Sequence, residues 1–393
     1  MSYRAEVPES ALGHVHQITS ALKLALDQAF EDDGLRIFIE RYDDVALLGK
    51  TSTTLNQLKH HVSTSTALSD AHPDLWKSIR SWLDALNTIP LLGFKPVFVI
   101  STTCKVSADS APSFLESGTG RNVERAIELL AATASSSRNQ SLQEAFSAFR
   151  RLDIADRYDF VSSIYVLGDA PNINQTRDAI QRLVRVGTSK LSVKPFYERL
   201  LGWWLNRVVE HLQTGDPIHG SELIDKFDDL RDQMAVTNLP IDDDIVDIED
   251  VPKSLVGVAR RFVEQLKWIA VRDNAIANAI RDYHRAYVQR SRWVGDKLLN
   301  IAELRRYERR LIDAWRNHFD LLESELGAEA KTSELEKWGR EVYRLTITED
   351  IPIRRDCTEG FIARGSFHIL SDDGRLGWHP QFLGLLAKAT RTA

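Results

Sequence analysis

The sequence has few of the residues that build disulfide frameworks, zinc sites or membrane spans. Its 393 residues include only two cysteines, Cys104 and Cys357, which lie far apart and belong to no CxxC pair. This excludes a zinc ribbon or a disulfide framework and is typical of a reducing compartment. No run reaches the roughly 18–20 apolar residues of a membrane span, and the first residues show no secretory signal pattern. We therefore expect a cytoplasmic protein without a membrane segment.

An excess of positive charge is also missing, because 50 basic residues stand against 56 acidic ones and give a formal net charge of −6. Proteins that bind DNA unaided usually carry a positive excess, since phosphate neutralisation supplies much of their affinity. A nucleic-acid role would thus depend on a local basic patch or on partner subunits. The P-loop pattern GxxxxGK[ST] does not occur either, so nucleotide hydrolysis by that route is not expected.

What is present is the composition of a globular protein, 43% hydrophobic and 27% charged, at a length that suggests two domains. Apolar spacing predicts an α+β first half and a mostly α-helical second half. The expected elements of the first half are helices over 10–31 and 73–87, strands over 35–40, 54–60 and 96–101, and a fourth strand within 159–167.

A group of polar residues on the first two predicted strands suggests chemistry. Asp44, which we place at the end of the first strand, precedes Gln57 by thirteen positions. Strand alternation puts Gln57 and Lys59 on one side, with Leu58 facing the core. An acid, a gap of ten to twenty residues, and then acid-or-amide, any residue and lysine is the arrangement of the PD-(D/E)xK nucleases. Such a triplet also arises by chance, with the lysine simply reaching solvent at a strand end.

The residue types suit a hard divalent cation, Mg²⁺ or Mn²⁺. The carboxylate of Asp44, the amide oxygen of Gln57 and the backbone carbonyl of Leu58 supply three oxygen ligands. The metal would polarise a scissile phosphate, and Lys59 would stabilise the developing charge or orient the attacking water.

The surrounding blocks resemble a known family. The segments IERYDDVALL, LNQLKHH, LWKSIRSWLDAL and VFVISTT are similar to the double-stranded-DNA endonuclease domain of bacterial CBASS-type antiphage effectors, over roughly residues 10–210. The resemblance implies a PD-(D/E)xK, restriction-endonuclease-like core and a bacterial source. It implies a catalytic set of Asp44, Gln57 and Lys59, helped by Glu40 and Asp43. Gln17 on the first helix matches a polar position that often completes such sites.

A second resemblance covers about 216–393, where the blocks ELRRYERRLIDAW and RGSFHILSD look like the C-terminal region of effectors in ABC-three-component systems. The combination of this C-terminal region with the endonuclease-like region resembles Lamassu-type defence effectors. The implied division is a nuclease domain over 1–215 and a docking domain over 216–393. The implied partners are double-stranded DNA, an SMC-like ABC ATPase and a small third subunit, with release and self-assembly into a homo-oligomer, a tetramer, as the active state. The rival is a non-catalytic assembly subunit that keeps the nuclease fold only as a scaffold.

Several other polar groups have both a structural and a functional interpretation. His60 or His61, next to Lys59, would be a general base or an ordinary strand-end residue. The acidic run over 240–252 is interpreted as a solvated loop rather than a metal site. The basic stretch from Arg285 to Arg310 is interpreted as a solvated helix face with i,i+4 ion pairs rather than a DNA contact. A further group is expected to form a buried cluster without a metal: His284, His368 and His379.

Overall fold

The computed structural model describes residues 7–60, 67–89, 94–186, 188–248, 260–324, 326–327 and 329–392. The chain divides into two compact units. The first unit comprises Met1–Val186 and Phe196–Asp229, and the second comprises Gly187–Pro195 and Leu230–Ala393. The sequence instead predicts a domain boundary between residues 215 and 216. That boundary concerns whether residues 1–215 fold on their own, and it stays a prediction.

Six strands of the described residues form one mixed sheet in the order β5-β4-β3-β2-β1-β6. β1, β2 and β3 form an antiparallel meander, β4 and β5 continue parallel to β3, and β6 pairs with the other edge of β1. Their bounds are β1 Arg36–Ile39, β2 Val45–Leu48, β3 Thr53–Lys59, β4 Val97–Thr102, β5 Ile164–Leu167 and β6 Ile218–His219.

Helices surround this sheet. The helices that begin before Asp229 are α1 Val7–Ala29, α2 Pro73–Ala85, α3 Ala111–Phe114, α4 Val123–Ser136, the 3-10 turn Gln140–Leu142, α5 Gln143–Arg151, α6 Ile154–Ser162, α7 Ile173–Val184, α8 Val193–Thr214 and α9 Gly220–Gln233. α2 begins as the sequence leads one to expect, with a proline at its first position and His72 accepting a hydrogen bond from the Asp74 N–H. Its apolar face packs Trp76, Ile79 and Trp82 into the core of the first unit.

The second unit is helical throughout its described residues beyond α9. Its helices are α10 Asp243–Val246, α11 Arg261–Trp268, α12 Asp273–Gly295, α13 Ile301–Glu323, α14 Thr332–Ile347, α15 Gly360–Asp372 and α16 Phe382–Thr392. Their shared core includes Trp293, Tyr307, Trp315 and Trp378. None of the helices in the described ranges is long and apolar enough to cross a membrane.

The structure corrects three local expectations. The segment around Asp43 and Asp44 joins two strands, so the meander has three strands rather than two. Asp44 therefore precedes β2 instead of ending the first strand. The first four residues of the predicted fourth strand, 159–162, belong to α6, and only its last four form β5. The acidic run contains the short helix α10, whose flanking and first-turn carboxylates pair with Arg292.

Candidate active site

The polar residues predicted from the sequence meet where β1 leads into β2 and where β3 ends. One oxygen of Asp44, Oδ2, accepts a hydrogen bond of 2.7 Å from the Leu58 N–H and lies 3.5 Å from Lys59 Nζ. Both side chains are about one-fifth exposed, at 19% and 22% respectively. Among the described residues, no hydrogen-bond partner is found for the second oxygen, Oδ1. The pair therefore combines a carboxylate oxygen with spare capacity and an adjacent ammonium group at the surface.

Asp43 lies behind this pair and is buried. Its Oδ2 accepts a 2.7 Å hydrogen bond from Trp82 Nε1, and its Oδ1 accepts hydrogen bonds from the Asp44 N–H at 2.9 Å and from Gln57 Nε2. Burial raises the pKa of Asp43 to about 7, and the neighbouring Asp44 charge raises it too, while the hydrogen bonds from Trp82 and Gln57 act in the opposite direction. This carboxyl group is thus held by neutral donors alone.

Gln57 is consequently oriented by the buried side of the site. Its amide nitrogen faces Asp43, and its Oε1 lies 3.5 Å from the Ser78 hydroxyl on α2. Gln57 is more buried than Leu58, because α2 covers the face of β3 that carries residues 55, 57 and 59. The expectation that Leu58 is the core-facing residue was therefore wrong, because Gln57 is the more buried of the two. The alternation of side chains along β3 still holds.

Glu40 joins the site from the end of β1 through an unusual backbone. Its φ is +56°, a left-handed conformation that costs a non-glycine residue free energy and is often found at functional sites. Gln17 on α1 donates 2.7 Å and 3.3 Å hydrogen bonds to Glu40 Oε1 and to the backbone carbonyl of Asp44. Gln17 therefore ties α1 to the loop that carries both acids.

The two candidate histidines have different outcomes. His61 lies outside the described residues. His60 packs against His16 of α1, with 4.7 Å between the ring centroids. Burial, with the nearby His60, lowers the pKa of His16 to about 4, so its imidazole stays neutral at physiological pH. His60 therefore contacts α1 through His16, and its role as a general base stays a prediction.

The donor set suits a hard cation, with one qualification of the predicted ligands. The Asp44 carboxylate lies next to Lys59 and keeps one oxygen without a protein partner in the described ranges, and the Glu40 carboxylate is tied to the same loop through Gln17. Within the described part of the chain, the Gln57 Oε1 atom has one contact, the 3.5 Å approach of the Ser78 hydroxyl. Leu58 touches Asp44 through its N–H, and the role of its carbonyl as a ligand stays a prediction. Groups of three or more His, Cys, Asp or Glu with metal-binding geometry do not occur within the described residues.

Three contributors to the site were missed at the sequence level. Trp82 and Ser78 reach Asp43 and Gln57 from α2, and His211 on α8 accepts a 2.9 Å hydrogen bond from the Ile39 N–H at the end of β1. A tryptophan at helical spacing signals a core position, and Trp82 is indeed fully buried. The contact between α2 and the β1–β2 loop is visible only in the structure, and there the Trp82 indole N–H also donates to the Asp43 carboxylate.

Comparisons with known proteins give one family match. Residues 262–386 match the family model of C-terminal domain 7 of the ABC-three component (ABC-3C) systems. No curated protein matches the chain.

Solved structures of two Cap4 SAVED/CARF-domain containing receptors give weak matches. The receptor of Acinetobacter baumannii with the cyclic trinucleotide 3′3′3′-cAAA shares 12% identity and a TM-score of 0.33, over 70% of this chain and 61% of that one. The receptor of Moraxella osloensis shares 16% identity and a TM-score of 0.33, over 70% and 60%. The chain thus spans about 60% of the length of these receptors, and so low a TM-score does not establish a shared fold.

Proposed function

We propose that this protein is a Mg²⁺-dependent DNA endonuclease and the effector of a bacterial ABC-three-component defence complex. The observation that carries the proposal is the convergence of Asp44 and Lys59, 3.5 Å apart, at the end of an antiparallel meander. Glu40, Asp43 and Gln57 complete that cluster. A scaffold would not need an acid, an amide and a lysine held together at a partly exposed strand end.

The site supports a division of labour for phosphodiester hydrolysis. When bound, a divalent ion would supply a Lewis acid for the scissile phosphate and a lowered pKa for water. Asp44, the Gln57 amide oxygen and the Leu58 carbonyl would hold that ion, with Glu40 as a helper, while the Leu58 N–H fixes the orientation of the Asp44 carboxylate. Lys59 would stabilise the negative charge that develops on the phosphate oxygens. The buried pair of Asp43 and Trp82 holds Gln57 in place.

The remainder of the proposal concerns the second unit. Its match to C-terminal domain 7 of ABC-three component systems supports a docking role for an SMC-like ABC ATPase and a small third subunit. In that complex the nuclease would be held inactive, and it would act after release and self-assembly, with several sites on one duplex. The net charge of −6 is consistent with this control, because the isolated chain should bind DNA weakly.

Single substitutions at the Asp44–Lys59 pair test the chemistry. Asp44→Ala or Lys59→Ala should each reduce Mg²⁺-dependent cleavage of supercoiled and linear duplex DNA by about 100-fold or more, because each removes a metal ligand or a transition-state contact. The assay should use chain concentrations high enough for self-assembly. Lys50→Ala is the matched control, since Lys50 is a surface lysine of the same meander that pairs with Asp33.

The thermal unfolding midpoint of each variant should stay close to that of the native chain, because both residues are partly exposed. A correctly folded Lys59→Ala chain that cuts DNA at the native rate would contradict the assignment. That result would favour the alternative, a non-catalytic assembly subunit that keeps the nuclease fold only as a scaffold.

A further inference from the structure

α13 carries a face of exposed arginines that no part of the proposed nuclease mechanism uses. At 100° per residue, five arginines fall within an arc of roughly 140°, on the side of the helix opposite its buried residues. The exposed residues are Arg305, Arg306, Arg309, Arg310 and Arg316, and we call them the α13 arginine face. The buried residues of the helix are Tyr307, Glu308, Leu311, Trp315 and Phe319.

The i,i+4 ion pairs expected for this stretch are absent from the α13 arginine face. In the part of the chain that the structure describes, none of its five guanidinium groups has a carboxylate within ion-pair distance. Two acids of α13 are engaged elsewhere, since Glu303 pairs with Arg354 and Glu308 pairs with Arg290 and Arg375. Two more, Asp313 and Asp320, are exposed within the same arc but lie beyond ion-pair distance of these arginines among the described residues. A contrasting region lies on α12, where Arg292 pairs with two aspartates. Five arginines against these two aspartates leave the face with a formal excess of three positive charges on a chain that is acidic overall.

The same arc offers little to an apolar partner. Between Arg305 and Arg316, the other exposed residue is Asp313, and Ala302 and Asn317 flank the face. Stable protein interfaces are usually anchored by buried aromatic or aliphatic side chains within a polar rim. Clustered arginines without such anchors instead favour a polyanion, because each planar guanidinium can bind two phosphate oxygens at once.

We propose that the α13 arginine face binds the phosphate backbone of duplex DNA. Arg305, Arg309 and Arg316 lie within about 40° of one another around the helix and extend about 16 Å along it, so they can contact successive phosphates of one strand. The second unit would thus contribute a sequence-independent DNA contact separate from the site on β1–β3. The choice of DNA rather than RNA rests on the proposed function, whereas the preference for a polyanion rests on the face itself.

The test compares two triple variants of the full chain that remove the same charge from the second unit. The face variant is R305Q/R309Q/R316Q. The control variant is K267Q/R344Q/R355Q, in which each of the three exposed side chains pairs with a neighbouring carboxylate. Binding of a fluorescent 30-base-pair duplex is measured by anisotropy in EDTA, so that no cleavage interferes, at salt concentrations from 50 to 200 mM. A duplex RNA and a polyglutamate peptide of equal charge serve as competitors.

Three phosphate contacts should account for about 2.7 in the slope of log affinity against log salt concentration. Between 50 and 200 mM salt, the native chain should therefore lose about 40 times more affinity, as a ratio, than the face variant. The control variant should keep the native slope. An unchanged slope in the face variant would overturn the proposal. So would stronger competition by RNA or by polyglutamate than by unlabelled DNA, because the face would then serve another partner. Since no catalysis is measured, this result is independent of the Asp44 and Lys59 variants.

Discussion

The two units of this protein bury carboxylates in opposite ways. In the first unit, Asp43 is surrounded by neutral donors, namely the Trp82 indole, the Gln57 amide and a backbone N–H. In the second unit, Glu308 is clamped between the guanidinium groups of Arg290, at 2.6 Å, and Arg375. Asp43 is 6% exposed and Glu308 9%, so burial alone does not distinguish them.

The difference lies in what each arrangement is suited to do. A carboxylate between two arginines has its charge compensated inside the protein, and breaking such a pair leaves an unpaired buried charge. A carboxylate held by neutral donors keeps uncompensated charge or a raised pKa, which fold stability alone does not require. Glu308 therefore reads as a structural clamp between α12, α13 and the α15 end. Asp43 has only neutral donors among the described residues, as the proposed active site requires of a carboxyl group that orients Gln57.

The most direct way to break this comparison is to neutralise each acid with its own amide. Glu308→Gln should lower the free energy of unfolding by about 3–5 kcal/mol, because the buried Arg290 loses its counter-charge. Asp43→Asn should cost less, about 1–3 kcal/mol, because one of three neutral donors then faces an amide N–H instead of an acceptor. Urea unfolding of both variants, followed by tryptophan fluorescence at one pH, gives the two values.

Arg344→Gln provides the control for this pair, since its exposed ion pair with Glu341 should contribute little. Equal losses for Glu308→Gln and Asp43→Asn would mean that the two carboxylates have the same structural role. The distinction between clamp and site would then fail.

The sequence predicted which polar residues meet near the end of β3 better than it predicted the strands that carry them. Gln57 and Lys59 belong to one strand, as period-two alternation requires, and the apolar run at 96–101 correctly predicted a strand, β4. Its place beside β3 was not predicted. The β1–β2 connection was missed because Glu40 adopts a positive φ and lets the chain reverse within five residues, without the glycine that usually signals such a turn. Propensity cannot reveal strain that tertiary contacts such as the Gln17–Glu40 hydrogen bond support.

The same limit applies to the second unit. Of the three histidines predicted to be buried together, His368 and His379 are buried and His284 is half-buried, and His368 lies inside α15. The arginines of α12 and α13 look alike in sequence. In the structure, Arg290 is buried against Glu308, whereas Arg309 is exposed and has no acid partner among the described residues. A charge pattern cannot separate these cases, because the partners lie 18 or more residues away.

A second prediction sharpens the comparison on the Asp43 side. Trp82→Phe removes one neutral donor from Asp43 and should reduce DNA cleavage by about 10–100-fold, the usual effect of losing a group that orients metal-site residues. Because Trp82 acts through Asp43 and Gln57, the variant should also need more Mg²⁺ for half-maximal activity. Cleavage rates across a Mg²⁺ titration measure both effects.

Trp76→Phe is the matched control on the same helix. Trp76 is equally buried, but its indole N–H donates to the backbone carbonyl of Asp70, away from the site. Both variants should lose a similar, small amount of stability. A Mg²⁺ dependence that shifts equally in both would show that Trp82 supports the fold rather than the site.

The smallest expected effect concerns a buried polar group of the second unit that has no charged clamp. His368 is 1% exposed among the rings of Phe262, Tyr343 and Trp378. Burial, with the nearby Arg364, lowers its pKa from 6.5 to about 3. Since the folded state resists protonation, the unfolded state binds more protons below pH 6.5. His368 therefore makes stability fall as pH falls from 6.5 toward 3, and it has no such effect above that window.

In that window, the native chain should lose up to about 1.4 kcal/mol per pH unit more than His368→Gln. Urea unfolding at pH 6.5, 5.5 and 4.5 measures the difference. His14→Gln is the control, because the exposed His14 imidazole is not removed from water on folding. Parallel pH profiles for the native chain and His368→Gln would mean that the imidazole is protonated inside the fold. In that case a buried group of the second unit would carry charge without a carboxylate partner, and the contrast between clamp and site would no longer divide the two units.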